Sequence, residues 1–275
     1  MYYCKSDYQN TLFTLNKLKE KYPYFSENLS FIYSIGHLNY LLGNYDNSII
    51  ELEKLIKTNV IQDENYKPKF VCREIKSDSN LTCSNIISDG YDIEYLKEIS
   101  CNELAEIYIK KEKYEDALKY LLLANSKYFT GTFCGNGDYG KKLTNSFLIS
   151  EMFEKTNRPF DALKVLVPYT FSCLSLSENN TKAFEKCEKL ISSSSKAIEL
   201  KLEIDNAINN ITFKTRKSGT LEYFAYFIKI NNESFEIYYP YTEKWKGNKE
   251  YTIDDIKNLF FNDKFYQLLK NENRN

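Results

Sequence analysis

Histidine occurs once and tryptophan once in 275 residues, and arginine is scarce, four residues against 33 lysines. A single imidazole, His37, excludes chemistry that needs several, such as a His-rich metal site. Charge of one sign is also missing. Lys and Arg total 37 against 38 Asp and Glu, a net charge of −1, so no global field draws nucleic acid or an anionic membrane. No apolar run approaches the roughly 20 residues that span a bilayer. The opening residues, Met1 to Tyr8, lack the charged-then-apolar plan of a signal peptide. The seven cysteines (Cys4, Cys72, Cys83, Cys101, Cys134, Cys173 and Cys187) contain no C-x-x-C pair, so neither a zinc knuckle nor a redox dithiol is signalled. Scattered free thiols fit a reducing, cytoplasmic location, where cysteine serves as a small buried hydrophobe.

What the chain has is apolar and aromatic mass, 43% hydrophobic with 24 Tyr and 18 Phe, enough to fill a core. The excess of lysine over arginine, with abundant Asn, Ile and Tyr, reads as the codon bias of an AT-rich genome. The apolar residues recur in a pattern. A small residue is followed by an aromatic, a break, a Tyr, a second small residue and then spaced apolar residues. Three copies run from Gly36 to Ser48, from Ala105 to Ala117 and from Ser150 to Ala162, each pair 12 residues apart. That spacing predicts antiparallel helical hairpins in which the paired small residues let two helices approach. Larger residues such as Tyr108, Leu121 and Leu166 fill the space between neighbouring hairpins. Gly43-Asn44 and Asn157-Arg158-Pro159 are natural turns.

These residues resemble the tetratricopeptide repeat (TPR) over about residues 5–57 and 99–170. Tyr8, Thr11, Leu15, Leu18 and Pro23 match a second helix with its closing proline, so the array is expected to open on a half repeat. The connectors depart from the family, since the copies recur after 69 and 45 residues (36 to 105, 105 to 150) rather than about 34. Residues 60–95 read as an irregular loop or small hairpin rather than a decayed repeat. Residues 127–141 hold four of the nine glycines and read as a second long connector. Each hairpin is followed by a Phe near a Cys (Phe70 and Cys72, Phe133 and Cys134, Phe171 and Cys173), which suggests a repeated connector tucked against the stack.

After residue 175 the pattern changes. Residues 180–210 read as one helix with a possible break at Ser192–Ser195. Ile211–Lys214, Leu221–Ile230 and Ser234–Tyr239 read as strands, with turns at Ser218-Gly219 and Asn231-Asn232, and Asp254–Leu269 as a closing amphipathic helix. The expected fold is mainly α: a TPR-like solenoid over residues 1–175, then a small α+β module over 176–275 with an antiparallel three-stranded sheet.

Candidate chemistry is sparse. Gly135–Lys141 matches the G-x-x-x-x-G-K pattern of a phosphate loop, but Lys142 stands where the Mg²⁺-binding hydroxyl belongs and no strand precedes it. A flexible connector is the simpler reading, and a nucleotide-dependent protein is the disfavoured one. Cys134 lacks an imidazole nearby that would activate it. The carboxylate pairs Glu151 with Glu154, and Asp254 with Asp255, read as solvated surface. No catalytic residue, cofactor or metal is expected.

The TPR resemblance implies a concave groove lined by the first helix of each hairpin. On this chain that face comprises Tyr33, His37 and Tyr40; Asn102, Glu106 and Ile109; and Phe147, Glu151 and Glu154. The family groove for chaperone C-termini relies on Lys, Arg and Asn. Aromatics and glutamates imply instead a protein partner with basic or aromatic side chains. The competing reading is that elements of the same chain fill the groove. His37 itself reads as a groove residue, a surface group or a packed ring, and Trp245 as an interface anchor or a cap on the sheet edge. The expectation is a non-catalytic adaptor or scaffold, with an immunity-type inhibitor of a cognate effector as the alternative for a bacterial protein of this kind.

Overall fold

The computed structural model describes residues 7–58, 93–131, 135–174, 180–194, 196–218, 221–238 and 251–272. The fold is mainly helical, with eleven α-helices and one small antiparallel sheet among these residues. It divides into two compact units, Met1–Thr130 and Gly131–Asn275. The change of pattern near residue 175 lies inside the second unit, so the third hairpin groups with the C-terminal elements.

In the first unit, α1 (Tyr8–Lys21) buries Leu15 against Phe31, Ile35 and Leu38. A 3₁₀ turn, Pro23–Glu27, leads into α2 (Leu29–Leu41), whose N-cap Asn28 accepts the Phe31 N–H at 2.9 Å. With α3 (Tyr45–Lys57), α2 forms the first hairpin. A Cβ added at Gly36 would lie 2.7 Å from Leu52 Cδ2, so glycine is what lets the two helices close. The second hairpin is α4 (Ile93–Lys110) with α5 (Tyr114–Asn125), where Ala105 and Ala117 are both fully buried. Helix α4 packs on α2 and α3. Residues 93–95 of the expected first connector are helical; the rest of that connector lies outside the described residues.

The second unit opens with the third hairpin, α6 (Gly135–Lys155) and α7 (Pro159–Leu166), in which Ser150 and Ala162 are fully buried. All three hairpins turn alike. Gly43, Glu112 and Asn157, each seven residues after its small residue, have φ of 76°, 57° and 58°. Their N–H groups bond the carbonyls of Tyr40, Ile109 and Glu154 at 3.0–3.1 Å, and the next residues bond Asn39, Tyr108 and Phe153 at 2.8–2.9 Å. This is the paired bonding of a Schellman turn, in which a left-handed residue ends one helix and frees the chain to reverse.

The Gly135–Lys141 stretch is helix, not the expected loop, which corrects both the connector reading and the phosphate-loop pattern. Long-range packing outweighs the poor helix propensity of glycine here. Tyr139 meets the Tyr169 ring at 5.6 Å, and Lys142 pairs with Glu233 of a later strand. Short 3₁₀ turns, Val167–Tyr169 and Ser172–Leu174, follow α7. Residues 180–210, read as one helix with a possible break in the serine run, are two helices, α8 (Asn180–Ser194) and α9 (Ala197–Asn209).

The sheet has order β1-β2-β3: β1 (Thr212–Ser218), β2 (Leu221–Ile230) and β3 (Glu233–Glu236), registered by Thr212 opposite Phe227 and Ile230 opposite Glu233. Asn231 and Asn232, at φ 52° and 67°, make the two-residue hairpin turn that asparagine tolerates. The expected closing helix is two helices, α10 (Ile253–Phe261) and α11 (Lys264–Glu272). Asp263 divides them: its Oδ1 accepts the Phe265 N–H at 2.9 Å, while Oδ2 accepts the Ser172 N–H at 3.1 Å and hydroxyl at 2.8 Å. Phe171 and Cys173 are buried as expected, but within the C-terminal elements. Phe171 packs edge-on against Phe260 and Phe265, and the Cys173 carbonyl accepts the Tyr238 N–H at 2.7 Å. The other two Phe–Cys connectors lie outside the described residues.

Candidate functional site

On the first unit, the helical spacing 33, 37, 40 sets three rings of α2 in a row. Tyr33 and His37 stack at 5.5 Å between centroids, and His37 and Tyr40 at 6.3 Å. The row faces charged residues of α4. The Tyr33 hydroxyl donates to Glu103 Oε1 at 2.6 Å, and His37 Nδ1 lies 2.7 Å from the same oxygen. A carboxylate only accepts, so Nδ1 of His37 carries the proton. The Tyr40 hydroxyl donates to Glu106, and Lys110 donates to that hydroxyl at 3.2 Å while standing 4.5 Å from the ring centroid. The Glu106 hydrogen bond, helped by burial, raises the Tyr40 pKa, and the Tyr40 contact raises that of Lys110.

Tyr33, His37, Tyr40 and Glu106, all expected on one groove face, are therefore brought together, half-buried but for the exposed Glu106. Their polar groups meet across α2 and α4. Asn102 and Ile109 lie on α4 outside this set of contacts. Glu103, which accepts two of the α2 side chains, was not among the expected residues. It lies one position from Asn102 and completes the spacing 103, 106, 110, a one-residue rotation of the α4 face that only packing reveals.

A second tyrosine–carboxylate cluster joins the outer helices. Glu53 of α3 accepts the Tyr120 hydroxyl at 2.7 Å and pairs with Lys57 at 2.6 Å, while the Tyr108 and Tyr120 rings stack at 5.7 Å. Lys57 holds the Glu53 carboxyl below its usual range, and burial raises both tyrosines. Tyr108, Leu121 and Leu166 are buried.

On the second unit, Phe147, Glu151 and Glu154 lie along α6, the first half-buried and the glutamates exposed. Glu154 pairs with Lys186 of α8 at 2.6 Å. Phe147 and Glu154 line a cleft of about 450 Å³ against α8. Glu151 is not part of that lining.

The remaining candidates have structural explanations or lie elsewhere. Asp255 caps α10, accepting the Thr252 N–H at 3.0 Å and hydroxyl at 2.8 Å. Burial pushes the Cys101 thiol up to about 12, which keeps it from acting as a thiolate near neutral pH. Cys134 and Trp245 are outside the described residues. Among the described residues no group of three His, Cys, Asp or Glu is placed to hold a metal ion, and no helix is long and apolar enough to cross a membrane. Compared with known protein families, with curated proteins and with solved structures, the chain matches none of them.

Proposed function

We propose that this chain is a non-catalytic protein-interaction module, an adaptor or scaffold built on TPR-like hairpins, that takes a segment of a partner protein on its first-helix faces. The observation that carries this reading is the row of Tyr33, His37 and Tyr40 held by Glu103 and Glu106 across α2 and α4. A preordered face of this kind loses little side-chain entropy on binding. Its exposed carboxylate, Glu106, and aromatic edges suit basic or aromatic side chains of a partner. Glu151 on α6 presents the same charge on the second unit. The buried free thiols of Cys101, Cys173 and Cys187 support a reducing cytoplasmic setting.

The test compares the native chain with the double variant Glu106→Lys/Glu151→Lys in affinity capture from cells of its source, read by mass spectrometry. Both glutamates are exposed, so the variant is expected to fold with an unchanged circular dichroism spectrum and to lose the partner. Retention of the same partner at the same level would sink this reading.

A further inference from the structure

We propose that the cleft between α6 and α8 is a docking site for an acidic, aromatic-bearing segment of a partner protein. The proposal rests on the reading of first-helix faces as binding surfaces and adds a separate acidic segment of the partner at the α6–α8 cleft, whose lining holds the lysines of α8 and not Glu151. Helix α8 packs on α7 as α4 packs on α3, so it takes the place of a further first helix. Phe147 and Glu154 sit three before and four after Ser150, as Tyr33 and Tyr40 do about Gly36. In the first unit both of those positions are engaged by groups of the following first helix, Glu103, Glu106 and Lys110. In the second unit the following helix offers lysines instead, and more of them than α6 can match.

Lys182, Lys186 and Lys189 stand at i, i+4 and i+7, on one face of α8, and all three line the cleft. Lys186 is paired with Glu154. Lys182 and Lys189 are exposed and make no ion pair or hydrogen bond among the described residues; Glu185, between them on the same helix, pairs with neither. Phe147 and Leu190 supply the apolar part of the lining. The cleft therefore presents, among the described residues, two cations without an ion-pair partner astride an apolar surface.

Seven helical residues set Lys182 and Lys189 about 10 Å apart along the axis. An extended segment in polyproline II form places side chains three residues apart on one side, about 9 Å from each other. Two carboxylates in that spacing meet both lysines of α8, and an aromatic side chain between them, turned about 120° from that side, faces Phe147 on the α6 wall. Glu154 and Glu185 in the lining disfavour a polyanion such as nucleic acid, which would meet them as readily as the lysines.

The experiment uses the full chain and a fluorescein-labelled, end-blocked peptide of sequence Gly-Glu-Pro-Phe-Glu-Gly, titrated by fluorescence anisotropy. Saturable binding is expected, weakened at least about tenfold by Lys182→Glu/Lys189→Glu and absent for the peptide with lysine in place of both glutamates. Should the reversed variant fail to fold, Lys182→Gln/Lys189→Gln is expected to weaken binding about three- to tenfold. No binding by the native chain at about 1 mM peptide, or equal affinity in a folded lysine variant, would overturn the proposal. Failure here leaves the broader reading testable, because Glu106→Lys/Glu151→Lys is scored on capture of the native partner and does not involve these lysines.

Discussion

The Ser48 hydroxyl donates a hydrogen bond of 2.8 Å to the carbonyl of Gly36, across two helices at the point where neither residue has side-chain bulk to spare. Both residues are buried, and the glycine is closed over by Leu52. The contact fixes the register of the first hairpin and thereby where Tyr33, His37 and Tyr40 meet α4.

Gly36→Ala is expected to destabilise the chain by about 1–3 kcal/mol, because the added methyl overlaps a Leu52 side chain that is itself fully buried. Ser48→Ala is expected to cost about 1 kcal/mol, the worth of one buried hydrogen bond. Urea unfolding of both single variants and the double variant measures the two effects and their coupling. The double variant is expected to fall short of additivity, since the sites touch.

The three hairpin turns give a purely conformational test. Gly43 has φ 76°, and a Cβ placed there would meet nothing within 4 Å, so Gly43→Ala costs about 1 kcal/mol through backbone strain alone. At the equivalent turns Glu112 and Asn157 are non-glycine residues in the same left-handed region. Glu112→Gly is expected to stabilise by up to about 1 kcal/mol, and Asn157→Gly by less, because asparagine tolerates that conformation better. Thermal melting of the three variants checks the order.

Glu53 predicts a pH dependence. Its folded pKa is lowered, chiefly by the hydrogen bond to Lys57 and also by the Tyr120 hydroxyl. The stabilisation is therefore full above the ordinary value of about 4.5 and is lost as pH falls through the depressed folded value. Glu53→Gln is expected to lower the melting temperature at pH 7 and to flatten its fall on acidification below about pH 4.5. Parallel acid-side slopes for variant and native chain would contradict this.

Asp263 ties the 3₁₀ turn after α7 to the last helix through three hydrogen bonds. Asp263→Ala is expected to cost about 2–3 kcal/mol, since it orphans partly buried donors at a helix start. Ser172→Ala, which removes only the hydroxyl, should cost about 1 kcal/mol. Phe171→Ala, beneath them, is expected to cost about 3–5 kcal/mol through the cavity left among Phe260 and Phe265. Equilibrium urea titrations of these variants measure the losses.

The hairpins, the turns at Gly43-Asn44 and Asn157-Arg158 and the strand pairing through Asn231-Asn232 are legible in the amino-acid order. Each depends on backbone constraints within about a dozen residues: a small side chain at a close approach, a left-handed turn, alternating strand residues. Helical spacing likewise places Tyr33, His37, Tyr40 and Glu106 on first-helix faces. Other features arise only when distant segments pack. Gly135–Lys141 is helix because Tyr139 and Lys142 meet Tyr169 and Glu233, and the closing helix breaks because Asp263 bonds Ser172 from 91 residues away. Glu103 became the partner of His37 across 66 residues for the same reason. Propensity and spacing act along the chain, whereas the rotation of one helix against another is settled by burial and hydrogen bonding between segments far apart in sequence.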